Sequence, residues 1–153
     1  MRFNKIFAGP VSETLPQVVE APAAADDLKP GNVVTFVTGG EFDHAGATTG
    51  TQLFVVQDNY LAMLGTDDAY EDGESVIGMI PLDEQFFACR FAASTAVVKG
   101  DAIALAANGL LRKLPTATGS YIVVGYSDET VTLGAAAEDL IRVRWTQPRQ
   151  VTV

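Results

Sequence analysis

The chain has 153 residues, of which 48% are hydrophobic and 19% charged, with a formal net charge of −9 and a pI near 4.4. That length buries one sizeable core and leaves little room for a second domain, while the negative field repels phosphate backbones and anionic headgroups. Nucleic acid and membrane are therefore not expected as partners.

Charged residues fall below the roughly 25% usual for a soluble domain, so more surface than usual is apolar or neutral, as in subunit contacts. No run of about 18 apolar residues is present to span a bilayer, and "MRFNKIFAGPVSETLPQ" lacks the apolar stretch of a signal peptide. A soluble chain made in the cytoplasm is expected. Cys89 is the only cysteine, which excludes an internal disulfide and a cysteine-based zinc site; in "FFACRFAAS" it reads as a buried small hydrophobe.

Residues 1–28 lack sustained periodicity, contain Pro10, Pro16 and Pro22, and end in "APAAADD", the pattern of an extended N-terminal arm. Either the arm is a free leader or "TLPQVV" orders it against a neighbouring surface, with Leu15, Val18 and Val19 as anchors.

From residue 29 one pattern recurs in "KPGNVVTFV", "EDGESVIGMI" and "VKGDAIALA". Gly31, Gly73 and Gly100 each follow turn-forming or charged residues and lead into a β-compatible run, so three turn-then-strand units are predicted. "LFVV" at residues 53–56 and "SYIVVGY" at 120–126 predict further strands. Asn108-Gly109 divides two apolar segments in "VVKGDAIALAANGLLRKL", which predicts a hairpin closed by a type I′ turn.

In "EDLIRVRW", Ile141, Val143 and Trp145 alternate with Arg142 and Arg144, the pattern of a half-buried strand. Helical signal is confined to a turn or two in "NYLAML" and "LDEQFFACRFAAS". The fold expected is mainly β, a small β-barrel or β-sandwich built from hairpins, with an extended arm and little helix. Residues 29–146 form its core and "QPRQVTV" at 147–153 a C-terminal tail.

Chemistry-bearing motifs are scarce. His44, the only histidine, lies in the Gly-rich "EFDHAGATTG" and reads as a solvated loop residue. No G-x-S-x-G, P-loop, dinucleotide fingerprint or H-E-x-x-H occurs. "GTDDAYEDGE" fails the EF-hand pattern, because Tyr70 and Met79 fall where acidic ligands belong. An irregular Ca²⁺ loop from Asp67, Asp68, Glu71, Asp72 and Glu74 stands against a solvated acidic turn. Asp83 and Glu84 are adjacent and diverge on a strand, so they cannot flank one bond. Phe86, Phe87 and Phe91 read as core, and Arg90, Arg142 and Arg144 as either partner contacts or internal charge balance. No catalytic residue, cofactor or metal site is assigned.

The order of parts resembles the capsid decoration, or cement, proteins of tailed bacteriophages. "KGDAIALAANGLLRKL" is similar to that family's hairpin, "IVVGYSDE" to its return strand and "AAAEDLIRVRW" to its final strand, a likeness covering about residues 29–146. The resemblance implies a β-rich, commonly trimeric protein on the outside of an icosahedral shell, bridging subunits of the phage major capsid protein. An adhesive or glycan-binding module with Trp145, Tyr60, Tyr70 or Tyr126 as sugar platforms is a different reading, and a small hydrolase using Asp43 and His44 a third.

Overall fold

A computed structural model of the chain describes residues 15–25, 27–50, 52–135 and 138–153. The fold is mainly β. Strands β1 (Gln17–Pro22), β2 (Val33–Phe36), β3 (Phe42–His44), β4 (Phe54–Val56) and β5 (Ser75–Ile80) form one sheet in the order β1-β5-β4-β2-β3. Strands β6 (Phe86–Phe91), β8 (Ala102–Leu105), β9 (Leu111–Lys113), β10 (Ser120–Ser127) and β12 (Asp139–Thr152) close a barrel. The short β7 (Ala96–Val97) and β11 (Val131–Thr132) pair beside it.

The sheet is buried on both faces, because successive residues of a strand point to opposite sides. Val33, Ala45, Val55 and Met79 share a core with Phe87, Phe91, Ile103, Leu105, Ile141, Val143 and Trp145 of the barrel. Val34, Phe42, Phe54, Val56 and Val76 form a second core under Leu28 and Tyr70. At roughly 1.5–3 kcal/mol for each large apolar side chain buried, these two clusters are the main driving force for folding.

The recurrent glycine pattern is one turn used repeatedly. In residues 29–32, 71–74 and 98–101 the fourth residue donates its amide to the first residue's carbonyl, over 2.9–3.0 Å. The fourth side chain, of Asn32, Glu74 or Asp101, accepts the first residue's amide in return. Gly31, Gly73 and Gly100 at the third position have φ of 86°, 76° and 94°, the type II requirement. Residues 82–85 repeat both bonds with Glu84 at φ 68° in the glycine's place. At Gly31 the requirement is also steric, since a Cβ would strike the Leu140 side chain.

The predicted hairpin is present: β8 and β9 pair antiparallel, Leu110 donates its amide to the Ala107 carbonyl, and Asn108 and Gly109 have φ of 56° and 65°, the type I′ signature. Ile141, Val143 and Trp145 are buried, Arg142 is half-buried and Arg144 exposed, as the alternation predicts.

Four elements differ from the sequence reading. Residues 86–91 form strand β6 rather than helical turns, because they are held between β12 and β9, with Arg90 supplied with partners from elsewhere. His44 ends strand β3, paired to Val34, and is not a loop residue. Of the segment drawn as an arm, Gln17–Pro22 is extended, and the surface it lies on is the chain's own β5; residues 1–14 lie outside the described residues. The tail is the end of β12, which runs to Thr152 beside β10. The register shifts between Val123 and Gly125, and Pro148 falls in that irregularity, where its missing N–H removes no ladder bond.

Candidate interaction surface

Between β4 and β5 the chain leaves the sheet as a loop, residues 57–74, whose tip is a single 3-10 turn at Tyr60–Ala62. Its apolar side chains point outward. Met63 is 93% exposed and Leu61 75%, with Tyr60 and Leu64 also exposed. Large apolar side chains in water usually belong to segments without fixed structure or to contact surfaces. This loop has fixed structure. Asn59 caps the turn by accepting the Ala62 amide, and Met63 closes it in the left-handed region at φ 56°.

Three anchors hold the loop to the body. The Asn59 side-chain amide donates to Glu74 over 2.9 Å, and the buried Tyr70 hydroxyl donates to the Gln57 carbonyl over 2.9 Å. Burial, with Glu74 and Asp58 nearby, raises the Tyr70 phenol well above its ordinary pKa, so the donor stays protonated. The third anchor is Arg90, only 3% exposed, which reaches out of β6. Its Nε donates to the Pro30 carbonyl over 2.9 Å, and its Nη2 donates to the Thr66 carbonyl and to Asp67. Arg90 thus balances charge internally, as Arg142 does with Asp128 and Arg144 with Glu84.

Charge is unevenly distributed. From Pro30 to Cys89 the chain has ten carboxylates and no Lys or Arg, so this stretch carries a formal −10 and all other residues together +1. Within residues 57–74 the charged residues are Asp58, Asp67, Asp68, Glu71, Asp72 and Glu74, and Arg90 reaches in from β6 to Asp67. Several do structural work: Asp68 accepts the Gly65 amide, and Glu74 accepts from Asn59 and from the Glu71 amide. They are spread along separate turns, and among the described residues no three His, Cys, Asp or Glu side chains converge as a metal site.

Other residues singled out by sequence are scattered. Leu15 and Val18 are exposed, while Val19 packs under the second core. Trp145 and Tyr70 are fully buried, which removes both as sugar platforms, and Tyr126 is flanked by Arg144 and Arg149 at 5.9 and 5.8 Å. Tyr60 is exposed on the loop. Cys89 is buried beside Trp145, and burial pushes its thiol up to about 12, too high for a nucleophile at neutral pH.

His44 is 13% exposed in a cleft of about 230 Å³, its Nδ1 3.6 Å from Asp27 and 3.9 Å from Asp43. The Thr49 hydroxyl, five residues on, closes its own turn by accepting the Gly46 amide. A larger groove, about 570 Å³, lies where Ile80, Pro81 and Leu82 face Leu53 and Pro148.

No protein-family model matches the chain, and no curated protein matches it. Among the described residues no helix is long and apolar enough to cross a membrane. The helical turn expected in "NYLAML" is present as the 3-10 turn, but the outward placement of its apolar side chains was missed by sequence reasoning. Two signals mark it: four large apolar side chains in five residues directly after a cap-forming Asn, and a sixty-residue stretch without Lys or Arg.

Proposed function

We propose that this chain is a structural virion protein of the tailed-phage decoration class. It binds the outside of an icosahedral head and stabilises the expanded shell by bridging subunits of the major capsid protein. The observation that carries the reading is an inversion of the usual surface pattern. Charged side chains such as Arg90, Asp68, Glu74 and Asp101 are turned to backbone groups of the fold, while Leu15, Val18, Leu61, Met63 and Leu64 are left in water on ordered backbone. Surface of that kind gains free energy by covering against another protein. The turn-and-strand order that resembles the decoration family supports the same reading.

The mechanism is differential binding. The protein stabilises the expanded shell only as far as it binds that state better than the immature one. Assembly as a homotrimer makes modest contacts long-lived, because once one copy docks the others bind at high effective concentration. About 1,000 Å² per copy then suffices. No cofactor enters this scheme.

The test uses heads of the phage that encodes the chain, produced without it. Expanded heads mixed with purified protein should carry it into the pellet on sedimentation and show ordered density at capsomer junctions. Heads that sediment bare refute the proposal.

A further inference from the structure

The loop that carries the tip, residues 57–74, has six carboxylates and no Lys or Arg of its own, and that composition specifies its partner. We infer that Leu61, Met63 and Leu64 form a preformed plug that seats in an apolar socket rimmed by Lys and Arg on the protein it binds. This deepens the decoration reading and rests on it for the identity of the partner, the capsid shell.

The apolar half of the argument is preorganisation. Met63 occupies the left-handed region, which few residues with a side chain adopt, and Asn59, Tyr70 and Arg90 hold the flanking backbone by bonds described above. A side chain already held in its exposed position loses little freedom on binding, so its burial is converted into affinity with a small ordering cost.

The electrostatic half selects among occupants. A second copy of this chain is a poor match, because the stretch from Pro30 to Cys89 carries −10 and the rest of a partner copy offers only +1. Two acidic surrounds facing each other would repel. An anionic bilayer is disfavoured for the same reason. A basic-rimmed protein socket satisfies both halves, with the charges steering encounter and the plug setting residence time.

The test pairs Leu61→Ser with Met63→Asn in one variant. Asn tolerates the left-handed region, so the change removes apolar surface and keeps the backbone. A second variant, Glu71→Lys with Asp72→Lys, reverses two exposed charges. Affinity for expanded heads is measured at low and high salt, alongside thermal midpoint, mass by light scattering, and binding to phosphatidylcholine vesicles.

With midpoints near wild type, the apolar variant should bind heads at least tenfold more weakly, the loss expected from two exposed large side chains. The charge variant should associate more slowly, and the wild type should lose association rate with salt. Apolar-variant binding less than tenfold weakened overturns the plug while leaving the decoration reading intact. A variant that loses its oligomer mass assigns the tip to a second copy, and wild-type binding to vesicles assigns it to lipid; each overturns the inference. Wild type that ignores the heads defeats the decoration reading itself.

Discussion

The amide of Val33 donates to the carbonyl of Gly109 over 2.7 Å, so the tip of the barrel's β8–β9 hairpin is a rung of the neighbouring sheet. Gly109 returns its own amide to Ala45 over 2.9 Å, and Ala45 in turn donates to Val33. The turn thus joins barrel to sheet, and only glycine fits. A Cβ at 109 would lie 2.6 Å from the Val33 oxygen and 2.8 Å from His44. Gly109→Ala should therefore separate the two units and cost about 3 kcal/mol or more, combining positive-φ strain with lost buried backbone bonds. Urea unfolding measures this, and Asn108→Ala, which strains the same turn without the clash, should cost only about 1 kcal/mol.

The repeated type II turn gives a prediction of opposite sign at two positions. Gly31→Ala places a methyl against Leu140 at φ 86° and should destabilise by roughly 2–3 kcal/mol. Glu84→Gly relieves a residue at φ 68°, and the ion pair it loses, to Arg144 at 3.4 Å, is exposed and worth at most about 1 kcal/mol. Its urea midpoint should equal or exceed wild type.

Acid should weaken the barrel first at two aspartates. The Lys113 ammonium and the Val98 amide hold the Asp101 carboxyl below its ordinary pKa, and Lys99, with Arg142, does the same for Asp128. A folded-state pKa depressed below the unfolded value contributes stability that is complete above about pH 4 and is lost as pH falls through the folded value. Stability should therefore be flat from neutral pH down to about 5 in respect of these groups and fall below about 4. Asp101→Asn should lower stability at neutral pH and flatten that fall, as read from denaturant midpoints across the acid range.

Arg90 ties the 57–74 loop to the barrel, so its replacement should loosen that loop before anything else. Arg90→Met leaves the Thr66 and Pro30 carbonyls without their charged donor and should cost about 3 kcal/mol. Hydrogen exchange should rise in peptides covering residues 57–74 by more than in β8 and β9. Uniform exchange gains across the chain would show that Arg90 acts on the core alone.

Local chemistry carried the parts that were legible in sequence. Asn108-Gly109 specifies its turn by backbone preference alone, and the alternation through Ile141, Val143 and Trp145 specifies one buried face. The illegible parts depend on residues distant in the chain. Arg90 makes residues 86–91 look unlike a strand buried on both sides, until Pro30, Thr66 and Asp67 are brought to it. Pro148 looks like the end of a strand because the bulge that accommodates it is set by β10. His44 looks exposed in its Gly-rich surroundings, and the hairpin tip that covers it lies over sixty residues away. Loop tip residues 60–64 give a helical turn in sequence and no sign of which way their apolar side chains face. Their exposure is decided by the Asn59 cap, the Met63 backbone and the Arg90 anchor together.

The central claim, that ordered apolar side chains grip a phage shell, is tested most directly by oxidative footprinting of Met63. Free protein should be oxidised rapidly at this thioether, because the side chain is almost entirely in water. On expanded heads its oxidation should slow at least tenfold while that of Met79, buried in the core, stays low in both states. Equal Met63 oxidation in free and head-bound protein would contradict the account.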